Sequence, residues 1–197
     1  MIHPDTSVVE VDAIKGLGVR ATTSIPRGTV LWVRDAVDVV LSPEQVDALD
    51  GALAEHVDRL GYQDHLGRTI VCWDGGKYVN HSCAPTMRGV GPDAMIAVVD
   101  VAAGDEITCD YAECNLDEPF RCACGAAECR GLVGASVASE EWSRWQTDVE
   151  AAVRLGAHVA QPLAKLCVDA GLVRVLDGSS KVPPIAAVAL SRSDAGP

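Results

Sequence analysis

The sequence predicts a mainly β fold with short helices, because short apolar runs rich in Val, Ile, Thr and Trp alternate with turn-forming residues. Between residues 8 and 40 these runs are separated by Gly16, Gly18, Pro26 and Gly28. Further short strands are expected at residues 69–73, 94–99 and 106–111. The chain has 197 residues, of which 48% are hydrophobic, and this provides enough apolar surface for one compact domain with an appendage.

A helical insertion is predicted over residues 43–60. Ser42 can cap its first turn, Pro43 occupies the first helical position, and Glu44 places an acid near the positive end of the helix. The apolar residues that follow recur at near-helical spacing. The insertion therefore separates two groups of predicted strands.

A C-terminal helical extension is predicted over residues 136–175. Ser139 is expected to cap a helix that ends at Gly156, and two Trp residues on its apolar stripe are interpreted as packing residues. A second helix is expected over residues 161–171. Gly, Ser and Pro accumulate after it, so residues 178–197 are expected to form a loosely ordered tail.

The charge of the chain restricts its partners. The sequence has 16 basic and 28 acidic residues, a formal net charge of −12, and its Lys and Arg residues are scattered rather than clustered. Direct nucleic-acid binding is not expected, because such a surface repels a phosphate backbone. Acids are concentrated between residues 100 and 118, where no Lys or Arg occurs, so this stretch is either a solvated face or a surface that attracts a basic peptide.

The cysteines are expected to be reduced. The sequence contains neither an apolar run of about 18 residues nor the basic and apolar regions of a secretory signal at its start. We therefore expect no membrane contact and a cytoplasmic location, or a nuclear one if the source is eukaryotic. In either compartment the eight cysteines stay free for metal binding or catalysis.

Three clustered cysteines, Cys122, Cys124 and Cys129, suggest a metal site. Gly125 between them can adopt the positive backbone angle that a tight metal loop requires. Thiolates at this density suit tetrahedral zinc, which needs a fourth ligand. The candidates for that ligand are Cys83, His81, Cys109 and Cys114, and spacing alone does not choose between them. A loop of reduced cysteines without metal is the alternative interpretation.

Three segments taken together resemble a known family. They are GLGVRA at residues 16–21 with IPRG at 25–28, YVNHSCAP at 78–85, and AGDEITCDY at 103–111. In this order, with a Cys-x-Cys-x4-Cys behind them, they resemble the SET domain of protein-lysine methyltransferases followed by a post-SET segment. The resemblance covers about residues 8–132.

The resemblance implies a SET fold, with small curved β-sheets and a pseudo-knotted C-terminal segment, at residues 8–113. A zinc-bound post-SET loop would follow at 114–132, ahead of the C-terminal helical extension. The implied activity is methyl transfer from S-adenosylmethionine to a lysine side chain in a basic, histone-like or other, protein or peptide. The alternative is a catalytically silent SET-fold module that binds a peptide or the cofactor without turnover.

The resemblance also implies a cofactor site that consists of Gly16, Leu17, Gly18, Lys77, Tyr78, Asn80, His81 and Phe120. In this interpretation the glycines let the backbone approach the methionine half of the cofactor. Asn80 and His81 hydrogen-bond the adenine edge, and Phe120 covers it. Lys77 stands where many relatives carry an Arg that pairs with the cofactor carboxylate, and Lys keeps the charge but not the bidentate geometry.

The resemblance makes Tyr111 the catalytic residue, with its hydroxyl beside the transferring methyl group. A phenol of ordinary pKa, about 10, is a poor base at neutral pH, so Tyr111 is expected to orient the amine rather than deprotonate it. Among the candidates for the fourth zinc ligand the resemblance selects Cys83. Cys109 stands where relatives often carry a Phe or Tyr that limits the number of methyl groups, and we hypothesise that it permits a dimethyl or trimethyl product.

Overall fold

The computed structural model describes residues 1–116, 118–134 and 137–189. Within these residues the chain forms twelve short strands: β1 Thr6–Asp12, β2 Gly16–Ala21, β3 Val30–Val33, β4 Val39–Leu41, β5 Gly61–Gln63, β6 Thr69–Val71, β7 Asn80–His81, β8 Met87–Gly89, β9 Ala94–Ala97, β10 Glu106–Cys109, β11 Phe120–Arg121 and β12 Leu132–Val133. The α-helices are α1 Pro43–Asp47, α2 Gly51–Leu60, α3 Ser139–Gly156 and α4 Leu172–Leu176, and 3-10 turns occur at Gly75–Tyr78, Tyr111–Glu113 and Ile185–Val188. The predicted mainly β fold with short helices is confirmed.

The central sheet has the strand order β1-β2-β10-β7. Strand β10 lies antiparallel to β2, with Ile107 opposite Val19, and parallel to β7, with Thr108 opposite Asn80. Two three-stranded antiparallel sheets, β3-β9-β8 and β4-β6-β5, and the β11-β12 ribbon complete the strands. Because β10 lies between β2 and β7, the three motif segments, which are far apart in the sequence, become neighbours in one sheet.

The C-terminal extension packs on the core. Trp145 and Val149 of α3 are buried in the same hydrophobic cluster as residues of β3 and β9. A Cβ atom at Gly28 would lie 2.9 Å from the carbonyl oxygen of Ala152, so α3 approaches the loop before β3 as closely as a glycine permits. The Gln161 side chain donates a 2.7 Å hydrogen bond to the Gly28 carbonyl. The extension and the motif-bearing part therefore share one core.

The helical insertion consists of α1 and α2. Ser42 Oγ accepts a hydrogen bond from the Gln45 backbone, and the Gln45 side chain accepts one from the Ser42 backbone, which completes a capping box. Helix α2 continues directly into β5, which pairs with β6 so that Tyr62 lies opposite Ile70. The insertion therefore delivers Tyr62 to the interior of the fold.

The helix predicted for residues 161–171 is wrong. Residues 162–166 form turns, and the next helix, α4, begins later. The apolar spacing indicated a helix, but the burial of Leu163 and Ala164 and the hydrogen bonds of the Gln161 side chain to backbone groups stabilise a turn instead. Side-chain contacts between distant segments thus outweigh a weak local preference.

Two smaller expectations also need correction. Ser139 is the first residue of α3, and the cap position is Ala138, whose methyl side chain accepts no hydrogen bond. The predicted loose tail is packed at residues 185–188, where Ile185 and Val188 are buried. Residues 190–197, which belong to the same prediction, lie outside the described residues. None of the described helices is both long and apolar enough to cross a membrane.

Candidate active site

Asn80 connects the first two motif segments. Its side-chain amide donates one hydrogen bond to the Leu17 carbonyl at 3.1 Å and another to Glu106 Oε1 at 2.8 Å. A Cβ atom at Gly18 would lie 2.7 Å from this amide nitrogen, so no other residue fits at position 18 without displacing Asn80. The Glu106 carboxylate is held from its other side by Lys15 Nζ at 2.8 Å. The glycine segment, Asn80 and the start of β10 thus form one hydrogen-bonded unit.

Tyr111 lies at the end of β10, directly beside this unit. The strand predicted to reach residue 111 ends at Cys109, and the Asp110 side chain caps a 3-10 turn that begins with Tyr111. The Tyr111 backbone donates to His81 Nδ1 at 3.2 Å, and its hydroxyl donates to the Val79 carbonyl at 2.9 Å. Burial, together with the nearby Cys109, raises the pKa of Tyr111 well above 10.0, so the phenol stays neutral at physiological pH.

A cavity of about 350 Å³ opens in front of Tyr111. Its wall includes aromatic rings and thiols, among them Trp32, Tyr62, Cys72, Cys109, Cys114 and Phe120. The Tyr62 ring meets Trp32 edge to face at 5.9 Å, and its buried hydroxyl has no hydrogen-bond partner among the described residues. Cys109 is buried and its thiol contacts Cys114. The cavity is thus a mostly apolar compartment with Tyr111 in its wall, and charged side chains such as Asp58 and Arg59 also line it.

Only two of the predicted cofactor residues belong to the wall of this cavity, and its lining does not include Gly16, Leu17, Gly18, Tyr78, Asn80 or His81. Lys77 and Phe120 both line it. Lys77 Nζ lies 5.6 Å from the centre of the Tyr78 ring and donates to the Trp73 carbonyl at 3.4 Å. Phe120 is paired with Val133 in the β11-β12 ribbon, and its side chain remains half exposed.

The clustered cysteines meet the central motif. Donor atoms of His81, Cys83, Cys122 and Cys124 all lie within 4.8 Å of one another, which is close enough to hold one metal ion. The Cys129 thiol contacts both Cys122 and Cys124. Backbone N–H groups point at three of the sulfurs at 3.4 Å, as they do around metal-bound thiolates: Cys124 to Cys122, Arg130 to Cys83, and Gly131 to Cys129. The donor set and its hydrogen bonds fit zinc.

Two hydrogen bonds define the role of the His81 ring. Burial lowers the pKa of His81, so the imidazole is neutral and carries a single ring proton. Nδ1 accepts the hydrogen bond from the Tyr111 backbone, which assigns the proton to Nε2. Nε2 lies 3.3 Å from Cys83 Sγ and donates to it. In this tautomer His81 donates a hydrogen bond to the sulfur, and its ring is also one of the four donor groups that lie close enough to hold a metal ion.

Residues 16–112 match the family model described as SET domain. The chain carries a SET domain. Among curated proteins, it is 29% identical over 140 residues to histone-lysine N-methyltransferase Set2 of Drosophila melanogaster, a match that covers 64% of this chain and 6% of that protein. It is 38% identical over 69 residues to histone-lysine N-methyltransferase ATX2 of Arabidopsis thaliana, covering 32% of this chain and 6% of that protein. The chain thus matches a small part of these relatives.

A shorter relative and a solved structure complete the comparison. Methyltransferase flvH of Aspergillus flavus is 34% identical over 76 residues, which cover 33% of this chain and 43% of that protein. A crystal structure of Arabidopsis thaliana SUVH6 in complex with SAM superposes with a TM-score of 0.52 at 22% identity and covers 68% of this chain and 33% of that chain. The superposition supports the same fold.

The end of the SET domain contains a buried charged network that the sequence did not reveal. Arg130 holds both carboxylate oxygens of Asp110, at 2.6 and 2.7 Å. Arg88 pairs with Glu113 at 3.0 Å, and the Gly89 backbone donates to the same carboxylate at 2.7 Å. The only feature of the sequence that pointed to these residues is their proximity to predicted site residues. Asp110 and Glu113 flank Tyr111, and Arg130 follows Cys129.

The acidic stretch of the SET domain is not one solvated face. Asp110 and Glu113 are buried in the network, and Glu106 is paired with Lys15 and Asn80. Burial raises the pKa of Glu113 to about 7, against the opposing influence of Arg88. Several of these acids therefore hold the site together instead of forming a surface for a basic peptide.

Proposed function

We propose that this SET domain transfers methyl groups from S-adenosylmethionine to the side-chain amine of lysine in a protein substrate. The observation that carries the proposal is that Asn80 is hydrogen-bonded to the glycine segment at Leu17, while Tyr111, which lines the cavity, is hydrogen-bonded to the adjacent residue Val79. The curated relatives Set2 and ATX2, which are named histone-lysine N-methyltransferases, support the reaction. The SAM in the SUVH6 structure supports the choice of methyl donor.

The proposed cofactor site lies along Gly16, Leu17, Gly18, Asn80 and His81, with Lys77, Tyr78 and Phe120 at its edge. Both amide protons of Asn80 are used within the protein, so Asn80 Oδ1 is the atom left to accept a hydrogen bond from the cofactor. The positive backbone angle of Gly16, φ 68°, leaves the peptide groups beside it uncovered by a side chain. When bound, the cofactor supplies an electrophilic methyl group on a sulfonium sulfur.

The chain's own contribution to catalysis is chiefly positioning. Transfer requires a neutral lysine amine aligned with the methyl group, and alignment of two reactants can lower a barrier by several kcal/mol. The neutral Tyr111 hydroxyl donates to Val79 and therefore turns its lone pairs toward the cavity, where they can accept a hydrogen bond from the amine. Trp32, Tyr62 and Phe120 provide apolar surface along this cavity. The lysine proton leaves to solvent, because a phenol with a raised pKa is not a base at neutral pH.

We propose that zinc is bound by Cys83, Cys122, Cys124 and Cys129. His81 then stabilises the Cys83 thiolate as a neighbouring donor and links the metal centre to the Tyr111 backbone. Residues 114–132 contain few large apolar side chains and one short ribbon, so the metal would supply most of the stability of this segment. The segment would hold Phe120 over the cavity.

The proposed substrate is a basic segment with an exposed lysine, such as a histone tail. The net charge of −12 favours approach of a basic peptide, and Asp58, near the C-terminal end of α2, lines the cavity together with Arg59. Entry of the peptide along the helical insertion agrees with Leu60, the last residue of α2, which also lines the cavity.

A catalytically silent binding module is the competing interpretation. Intact Tyr111, Asn80 and cysteine positions disfavour it. The test is transfer of labelled methyl groups to mixed cellular proteins, followed by analysis for methyl-lysine, with wild-type protein, Tyr111→Phe and the control Arg154→Gln, which alters an exposed arginine outside the cavity lining. The proposal predicts methyl-lysine with the wild type and a strong loss only with Tyr111→Phe. A wild-type protein that binds S-adenosylmethionine but transfers no methyl group would establish the binding module.

A further inference from the structure

Asp110, the residue before Tyr111, is completely buried and held by a single side chain from the cysteine-rich segment. Arg130 Nη1 lies 2.7 Å from Asp110 Oδ2, and Nη2 lies 2.6 Å from Oδ1. This bidentate geometry fixes the orientation of the carboxylate as well as its position. The same carboxylate accepts the Ala112 backbone N–H that starts the 3-10 turn of Tyr111. Arg130 therefore holds the carboxylate that caps the 3-10 turn of Tyr111.

Glu113, two residues after Tyr111, is anchored in the same way from another side. Arg88 of β8 donates to Glu113 Oε1 at 3.0 Å, and the Gly89 backbone donates to Oε2 at 2.7 Å. A Cβ atom at Gly89 would lie 2.9 Å from Oε2, so the carboxylate fills the space that the glycine leaves open. Tyr111 thus sits between two buried acids. Arg88 holds Glu113, and Arg130 holds Asp110, whose Oδ2 also lies 3.8 Å from Arg88 Nη1.

Both arginines rest on a residue of the C-terminal helix. The guanidinium carbon of Arg88 lies 3.9 Å from the centre of the Trp145 ring, and that of Arg130 lies 5.4 Å from it. Trp145 is buried in α3, outside residues 16–112 that match the SET domain. An aromatic face at these distances attracts a guanidinium group and fixes its plane.

We propose that Arg130 is a positioning residue for Tyr111 and that Trp145, by stacking on Arg130 and Arg88, makes α3 part of the active-site framework. This inference rests on the proposed methyl transfer. Removing Arg130 takes both short hydrogen bonds away from the buried Asp110 carboxylate and leaves Arg88 Nη1, 3.8 Å from Oδ2, as its remaining arginine, so the carboxylate reorients toward Arg88 or water. Tyr111 then loses its alignment, and a displacement of about 1 Å in a positioned group can lower a rate by about 10²-fold.

The first test observes Tyr111 without relying on catalysis. The chain has three tyrosines, so protein that contains 3-fluorotyrosine has three fluorine NMR signals, which Tyr→Phe variants assign. Arg130→Gln is expected to shift or broaden the Tyr111 signal and to leave the Tyr78 signal unchanged. Arg154→Gln is the matched control, because it alters an exposed arginine of α3, the helix that carries Trp145. It is expected to change neither the Tyr111 nor the Tyr78 signal.

The second test measures methyl transfer by the same zinc-loaded proteins. We expect Arg130→Gln to lower kcat about 10²-fold, with the zinc content and the KM for a lysine peptide nearly unchanged. Arg130→Lys should recover part of this loss. Trp145→Leu should lower kcat less than Arg130→Gln does. An Arg130→Gln protein with unaltered kcat and Tyr111 signal would overturn the proposal. If Arg130→Gln loses zinc or unfolds, the Arg130→Lys and Trp145→Leu variants test the proposal instead. An unshifted Tyr111 fluorine signal in both of these variants would reject the proposal. If the wild-type protein transfers no methyl groups, the proposed function is refuted. The fluorine signals still test whether Arg130 positions Tyr111.

Discussion

The Tyr111 hydroxyl donates a 2.9 Å hydrogen bond to the carbonyl oxygen of Val79, the residue that precedes the Asn80-His81 segment. The bond ties the ring to the segment, residues 78–83, that also carries proposed cofactor and zinc residues. The bond also fixes the hydrogen-bonding role of the hydroxyl. A phenol that donates its proton to a carbonyl can only accept a hydrogen bond from a substrate. The proposed chemistry follows from this arrangement.

Replacing Tyr111 with Phe removes the acceptor for the lysine amine and leaves the ring in place. We expect kcat to fall about 10²-fold or more, as it does when one positioned hydrogen-bonding group is removed from an active site. Because burial holds the pKa of Tyr111 well above 10.0, the wild-type rate should rise with pH as the lysine substrate deprotonates and should show no separate tyrosine ionisation. Rates between pH 7 and 10 test this, and a wild-type inflection that disappears in Tyr111→Phe would contradict it.

The zinc ligands can be distinguished by substitution. We expect Cys129→Ser to lower the zinc content below one ion per chain, because it removes a thiolate ligand. His81→Gln should retain zinc, because an amide can replace both hydrogen bonds of the ring and the ring is not among the proposed ligands. Elemental analysis of the purified proteins measures both contents. Loss of zinc in His81→Gln with full retention in Cys129→Ser would show that His81 is the ligand instead.

The small side chain of Cys109 should determine how many methyl groups the lysine accepts. Cys109 lines the cavity beside Tyr111, so a Tyr at this position would fill space that a methylated amine needs. We expect the wild type to produce dimethyl or trimethyl lysine and Cys109→Tyr to stop at monomethyl lysine. Mass spectrometry of a lysine peptide gives the answer. Monomethyl product from both proteins would count against this role.

Glu113 should make stability depend on pH. Its pKa is about 7 in the folded protein, because burial disfavours the charge, and 4.5 in the unfolded chain. The folded state therefore binds more protons between these values, and the free energy of unfolding falls as pH rises through that window. From pH 4.5 to 8 the wild type should lose up to about 3 kcal/mol relative to Glu113→Gln.

Urea unfolding at several pH values measures this difference. The exposed Glu55→Gln variant is the control and should keep the pH dependence of the wild type. Parallel curves for wild type and Glu113→Gln would refute the prediction.

Features carried by local patterns could be predicted from the sequence, while features that depend on distant contacts could not. The capped helix at residue 43 and the strands on either side of it follow from turn residues and apolar spacing. The predicted helix at 161–171 failed because Gln161 and buried side chains fix a turn there. No local pattern relates Trp145 to Arg130 or Arg88, which the fold brings together from separate segments.

Three separate stretches of chain must form a single site for the proposed reaction, and a crystal structure with bound S-adenosylhomocysteine and a lysine peptide tests this most directly. We predict that the ligand lies along Gly16 and Gly18, that its sulfur and the lysine amine both face the Tyr111 hydroxyl, and that zinc lies among the four proposed cysteines. A ligand bound elsewhere on an intact, zinc-loaded protein, or a lysine that does not reach Tyr111, would contradict the account.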